Sequence, residues 1–185
     1  MTDHEAAVRV MVVDDHPMWR DAVERDLQAA GFDVVGVAAN GSEALARFPA
    51  CRPQVVVLDL QIPEPNGVAV TAEVLRQDPS ARVLILSASG EQSDVLEAVK
   101  AGATGYLVKS ASREELIEAV RRVARGDSVF TPGLAGLVLG EFRRLASPGT
   151  AEPGRPELTE RETEVLKMVA KGMSYKQIAD RLVLS

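Results

Sequence analysis

Five short apolar runs, rich in β-branched residues, punctuate the first 110 positions: VRVMVV (8–13), DVVGVA (33–38), QVVVLD (54–59), RVLILS (82–87) and TGYLVK (104–109). Their cores are continuously apolar, which suits parallel strands covered on both faces. Amphipathic stretches of helical length lie between them. Pro17 suits the first turn of a helix running to about Ala30, and Gly31 suits its end. Ser42 can cap a short helix that ends before Pro49. A third helix is predicted over 67–77, stopped by Pro79, and a fourth over 91–101, closed by Gly102. Ser112 and Glu115 fit a capping box ahead of Leu116, Ile117, Val120 and Val123, which fall at helical spacing; Gly126 ends that helix. The alternation predicts an α/β domain with a parallel (βα)5 sheet, right-handed crossovers and helices on both faces.

The pattern changes after Gly126. Leu134, Leu137, Val138, Phe142 and Leu145 form an apolar stripe that predicts a helix at about 132–146. Residues 147–157, SPGTAEPGRPE, read as a flexible linker because prolines and glycines crowd it. Thr159 and Glu162 then form a second capping box, opening a helix that stops at Gly172. Ser174 caps a further short helix. The expected organisation is one domain over 1–126, a connecting segment over 127–157 and a helical piece over 158–185.

Composition narrows the class. A chain of 185 residues, 46% hydrophobic and 26% charged, is that of a soluble globular protein, and the single cysteine, Cys51, allows no internal disulfide and no CxxC pair. Cys51 reads as a small, half-buried residue. The N-terminus has no basic stretch followed by a long apolar one, and no run approaches the ~20 apolar residues that span a bilayer. A cytoplasmic protein is expected. The net charge of −6 is unevenly placed. Residues 155–185 hold six basic and five acidic side chains, a net of +1. Subtracted from the chain totals of 21 and 27, these leave 15 basic and 22 acidic residues, a net of −7, in residues 1–154.

The chemistry lies at strand ends. In a sheet of order 2-1-3-4-5, reactive groups collect at the carboxyl ends of the strands beside the topological switch point. Asp14 and Asp15 follow the first run, Asp59 ends the third, Ser87 the fourth and Lys109 the fifth. Three converging carboxylates repel one another unless a cation shares them. Mg²⁺ suits such a site, since it takes one or two carboxylates together with waters and a phosphate. A lysine and a hydroxyl facing the same spot can receive phosphate oxygens. The set suits an aspartate nucleophile that accepts a phosphoryl group. Each residue alone has an ordinary explanation: acids favour a helix start, serines end strands, and lysines are usually solvated. All of them at successive strand ends do not. His16 reads as a residue flanking the acidic pocket.

The segments VVDDHP, VVLDLQIPEPNG, LILSAS and GATGYLVKS resemble the signature segments of a response-regulator receiver domain, over residues 8 to about 126. The resemblance implies a flavodoxin-like fold. It implies Asp59 as phosphoacceptor and Asp14, Asp15, Asp59 and the backbone carbonyl of Gln61 as Mg²⁺ ligands. Ser87 takes the place of the switch hydroxyl, Lys109 that of the phosphate-pairing lysine, and Tyr106 that of the rotameric aromatic. Small Ala88 leaves the phosphate accessible. Two positions depart from the pattern. Ile62 stands where many receivers have Met, and Ser110 where many have a cis proline.

Residues 158–185 resemble the first half of a LuxR-type helix-turn-helix domain. The whole chain therefore resembles a NarL/FixJ-type response regulator: a DNA-binding transcription factor, phosphorylated by a sensor histidine kinase and expected to form homodimers. The recognition helix of that motif is not among the 185 residues. Ser174 and Lys176 can touch DNA phosphates, which positions a protein without specifying sequence. Weak or no DNA binding is expected of the chain as it stands. Two alternatives remain open. One is a receiver-like interaction module that takes no phosphate. The other is a phosphatase of the haloacid-dehalogenase type; those carry a second acid where this chain has Gln61.

Overall fold

The computed structural model describes residues 7–88 and 90–130, together with Gly136 and Gly140, both helical. Six strands form one parallel sheet: β1 (Arg9–Val13), β2 (Asp33–Ala38), β3 (Val55–Leu58), β4 (Arg82–Ser87), β5 (Gly105–Val108) and β6 (Val129–Phe130). Their order is β2-β1-β3-β4-β5-β6. The helices between them are α1 (Pro17–Ala29), α2 (Gly41–Cys51), α3 (Gly67–Gln77), α4 (Gln92–Lys100) and α5 (Arg113–Ala124). The flavodoxin-like α/β fold and its strand order match the sequence expectation. The sheet continues past Gly126, however, because β6 pairs with β5 at Gly105↔Val129 and Tyr106↔Phe130. The helix expected at 132–146 lies outside the described residues except at Gly136 and Gly140. The linker at 147–157 and the helical piece at 158–185 lie outside them entirely.

The unbroken apolar strands are explained by two separate cores. Met11, Val13, Val56, Leu58, Val83, Ile85 and Tyr106 point to the face covered by α2, α3 and α4. Val10, Val12, Val55, Val57, Leu84, Leu86 and Leu107 point to the face covered by α1 and α5. Successive strand residues face opposite ways, so a strand buried on both sides has no polar position to show. Among the described residues no helix is long and apolar enough to cross a membrane.

α2 differs from expectation at both ends. Asn40, rather than Ser42, caps it: Asn40 Oδ1 accepts from the Glu43 backbone N–H at 2.8 Å, and Glu43 Oε2 accepts from the Ala39 N–H at 2.8 Å. The helix also runs through Pro49 to Cys51. Proline removes one helical N–H donor. The last turn holds regardless, because Phe48 is buried in the core and the Arg52 N–H donates to Phe48 O at 2.9 Å. Arg9 also donates to the Cys51 carbonyl at 2.6 Å and supplies a partner that the helix end lacks.

Candidate functional site

The ladder carries chemical groups beyond the strand ends. The Asp14 N–H donates to Ala38 O at 3.1 Å, the Asp59 N–H to Val13 O at 2.8 Å, and the Lys109 N–H to Ser87 O at 2.7 Å. Each of these residues is thus held one step past an apolar strand. Gly67 seats the other wall. A Cβ there would lie 2.6 Å from Asp59 O and 2.6 Å from Leu60 Cα, so only glycine lets α3 start this close to the Asp59 backbone. Nearby, the Glu64–Pro65 peptide is cis; Lys109–Ser110 is not among the cis bonds of the described residues.

Lys109 joins the two buried acids. Its Nζ lies 2.7 Å from Asp14 Oδ2 and 2.7 Å from Asp59 Oδ2, with all three residues buried. Burial works against the ammonium charge, but the hydrogen bonds to Asp14 and Asp59 outweigh it and hold the Lys109 pKa above the ordinary lysine value. The remaining carboxylate oxygens have local partners. Asp59 Oδ1 accepts from the Gln61 N–H at 3.1 Å, and Asp14 Oδ1 from the His16 N–H at 2.8 Å. Arg20 Nη1 donates to the Asp14 carbonyl at 2.8 Å.

One oxygen is left over. Asp15 Oδ1 is buried without a hydrogen-bond donor among the described residues. His16 Nδ1 lies 2.8 Å from it, with no hydrogen bond between them. Buried polar atoms are usually satisfied, and an exception calls for a missing partner. Ligand atoms of Asp14, Asp15, His16 and Asp59 all lie within 4.8 Å of one another. A cluster dominated by carboxylate oxygens, one of them without a donor, fits a hard divalent cation such as Mg²⁺.

Ser87 and Tyr106 lie on the neighbouring strands β4 and β5, beside this cluster. Both are fully buried, and their hydroxyls are hydrogen-bond partners. Burial raises the Tyr106 pKa, so the phenol is neutral at physiological pH. Ala88, one residue past the end of β4, is exposed. The structure therefore gathers Asp14, Asp15, Asp59 and Lys109 at one point and links Ser87 to Tyr106 beside it. Gln61 contributes its N–H to Asp59; Ser174 and Lys176 lie outside the described residues.

Trp19 and Arg20 at this site were not singled out from sequence. The available signal was helical spacing. Trp19, Val23 and Leu27 recur every four residues, and the first of them falls one turn from Asp15.

Comparison with known proteins gives the class. The response regulator receiver domain matches residues 10–121, and the luxR family of bacterial regulatory proteins matches residues 156–185. A crystal structure of a LuxR-family two-component response regulator from Aurantimonas superposes with a TM-score of 0.68 at 33% identity, covering 75% of this chain and 99% of that one. The chain belongs to the response regulators, in the NarL-type group that joins a receiver domain to a LuxR-family segment. It is 40% identical to the probable transcriptional regulatory protein NarL of Mycobacterium tuberculosis, over 96% of this chain and 81% of that protein. It is 34% identical to the nitrate/nitrite response regulator NarL of Escherichia coli, over 98% of this chain and 83% of that one.

Proposed function

We propose that the chain is a phosphorylation-controlled transcriptional regulator whose phosphoacceptor is Asp59. The observation that carries this is the Lys109 ammonium, buried and 2.7 Å from both Asp14 and Asp59. A carboxylate oxygen of Asp59 attacks the donor phosphorus. An acyl–phosphate bond forms as the bond to the donor's leaving group breaks, and the leaving group departs with that electron pair. Lys109 moves its charge from the carboxylates to an incoming phosphate oxygen. Asp14, Asp15, Asp59 and the Gln61 carbonyl would hold Mg²⁺. When bound, the ion supplies the positive charge that lets an anionic nucleophile meet an anionic phosphoryl group.

Ser87 then has a new acceptor. Its hydroxyl turns to a phosphate oxygen and changes its partnership with Tyr106, which lies under α4. That rearrangement biases two packings of the α4–β5–α5 surface. Homodimerisation and exposure of the LuxR-family segment for DNA follow, with Ser174 and Lys176 against the phosphate backbone. The donor is a sensor histidine kinase.

The test is the mass of the intact chain after incubation with Mg²⁺ and acetyl phosphate. One phosphoryl group should be gained by the wild type, and none by Asp59→Asn or when divalent ions are chelated. A wild type that gains none sinks the proposal and leaves a phosphate-independent interaction module.

A further inference from the structure

Trp19, the chain's single tryptophan, sits in the first turn of α1 with 41% of its surface exposed. An aromatic ring there has an ordinary use, as the outer end of the stripe that buries Val23 and Leu27. Its position gives it a second one. The Lys109 ammonium lies 5.5 Å from the centre of the Trp19 ring, within the ~6 Å reach of a cation–π contact. Lysine has three N–H donors. Lys109 spends hydrogen bonds on Asp14 and Asp59, and the indole faces the charge from α1.

The lysine has another place to go. A cleft of about 80 Å³, which Lys109 itself helps to line, lies between α1 and α5 with Trp19, Val23, Leu86, Leu116 and Asp26 in its walls. Asp26 is an acid within the cleft, 3.3 Å from the guanidinium of Arg113 and 29% exposed. Asp26 and Lys109 thus share one cleft. The Trp19 ring borders both the charge and the cleft.

We propose that Trp19 is a positioning residue: it holds the Lys109 ammonium at the acidic pocket and keeps it from withdrawing into the α1–α5 cleft. The hold matters most when Lys109 exchanges a carboxylate for a phosphate oxygen. That consequence rests on Asp59 being the phosphoacceptor. The placement of the lysine does not.

Two measurements on the full chain test this. The first is competitive acetylation with acetic anhydride, read by peptide mass as the labelling of Lys109 relative to exposed Lys100. Lys109 should label slowly in the wild type and in Trp19→Phe. In Trp19→Ala, and in Trp19→Leu, which keeps apolar bulk without a π face, it should label about twofold to fivefold faster, as the loss of one cation–π contact implies. Equal labelling in all four proteins overturns the proposal, as does equal acceleration in the Phe and Leu variants.

The second is the lifetime of the phosphorylated chain. Trp19→Leu should shorten it, and should add nothing in a Lys109→Met background. Additive effects mean that the tryptophan acts through packing and overturn the proposal. A wild type that takes no phosphoryl group instead defeats the Asp59 assignment, and acetylation still decides the role of Trp19.

Discussion

Lys109 balances two buried acids, and its removal is more informative than the loss of either. Lys109→Met leaves Asp14 and Asp59 facing each other in a buried site without a cation. Breaking a buried pair from one side costs about 3–5 kcal/mol. Urea unfolding in the absence of divalent ions should show a loss of that order, and millimolar Mg²⁺ should recover part of it. No loss would contradict the role of Lys109 in balancing them. Tyr106 gives a residue-scale prediction at alkaline pH. Its folded pKa is raised above the ordinary 10.0, chiefly by burial. A raised pKa contributes stability that is fully present below pH 10.0 and lost as pH climbs through the folded value. Tyr106→Phe loses the Ser87 hydrogen bond, worth about 1 kcal/mol at neutral pH. Its deficit against wild type should shrink as pH rises past 10.0 in a series of denaturation curves. A deficit that stays constant or widens contradicts the burial of a neutral phenol.

At the scale of elements, legibility in the sequence followed the length of the signal. Strands β1 to β5 were readable because each is an apolar run bounded by polar or turn residues. The reactive groups were readable for the same reason: Asp14, Asp59, Ser87 and Lys109 each end such a run. β6 is two residues long, Val129–Phe130, and is fixed by its neighbour β5 and not by any local pattern. The cap of α2 was misplaced because Ser42 is, like Asn40, a favoured capping residue. Gly41 is the first helical residue, where a Cβ would collide with the Pro65 carbonyl. A tertiary approach of that kind leaves no local trace. Its consequence can be measured. Asn40→Ala should cost about 1 kcal/mol of stability, as the loss of an N-cap does, and Ser42→Ala less than about 0.5 kcal/mol. The reverse order in chemical denaturation would restore Ser42 as the cap. Trp19 and Arg20 escaped for the complementary reason. Their partners, Lys109 and the Asp14 carbonyl, belong to the sheet edge, and only the packed structure brings them to α1.

At the scale of the whole molecule, the parallel sheet divides the work between two faces and one edge. The core on the α1–α5 side and the core on the α2–α3–α4 side hold the strand ends in fixed register. The carboxyl edge collects every charged group of the pocket. Tyr106 connects them: its hydroxyl meets Ser87 near that edge, and its ring is buried in the core against α4. A change of charge at the edge can therefore reach a helical surface through one buried side chain. The proposed switch depends on Asp59 being the residue that takes the phosphoryl group, and chemical mapping tests it most directly. Borohydride reduces an aspartyl phosphate to homoserine with release of phosphate, marking the acceptor permanently. The chain should be incubated with Mg²⁺ and acetyl phosphate, reduced, digested and sequenced by mass spectrometry. Homoserine at position 59 and at no other aspartate is the expected result; homoserine elsewhere, or at no position, would contradict it.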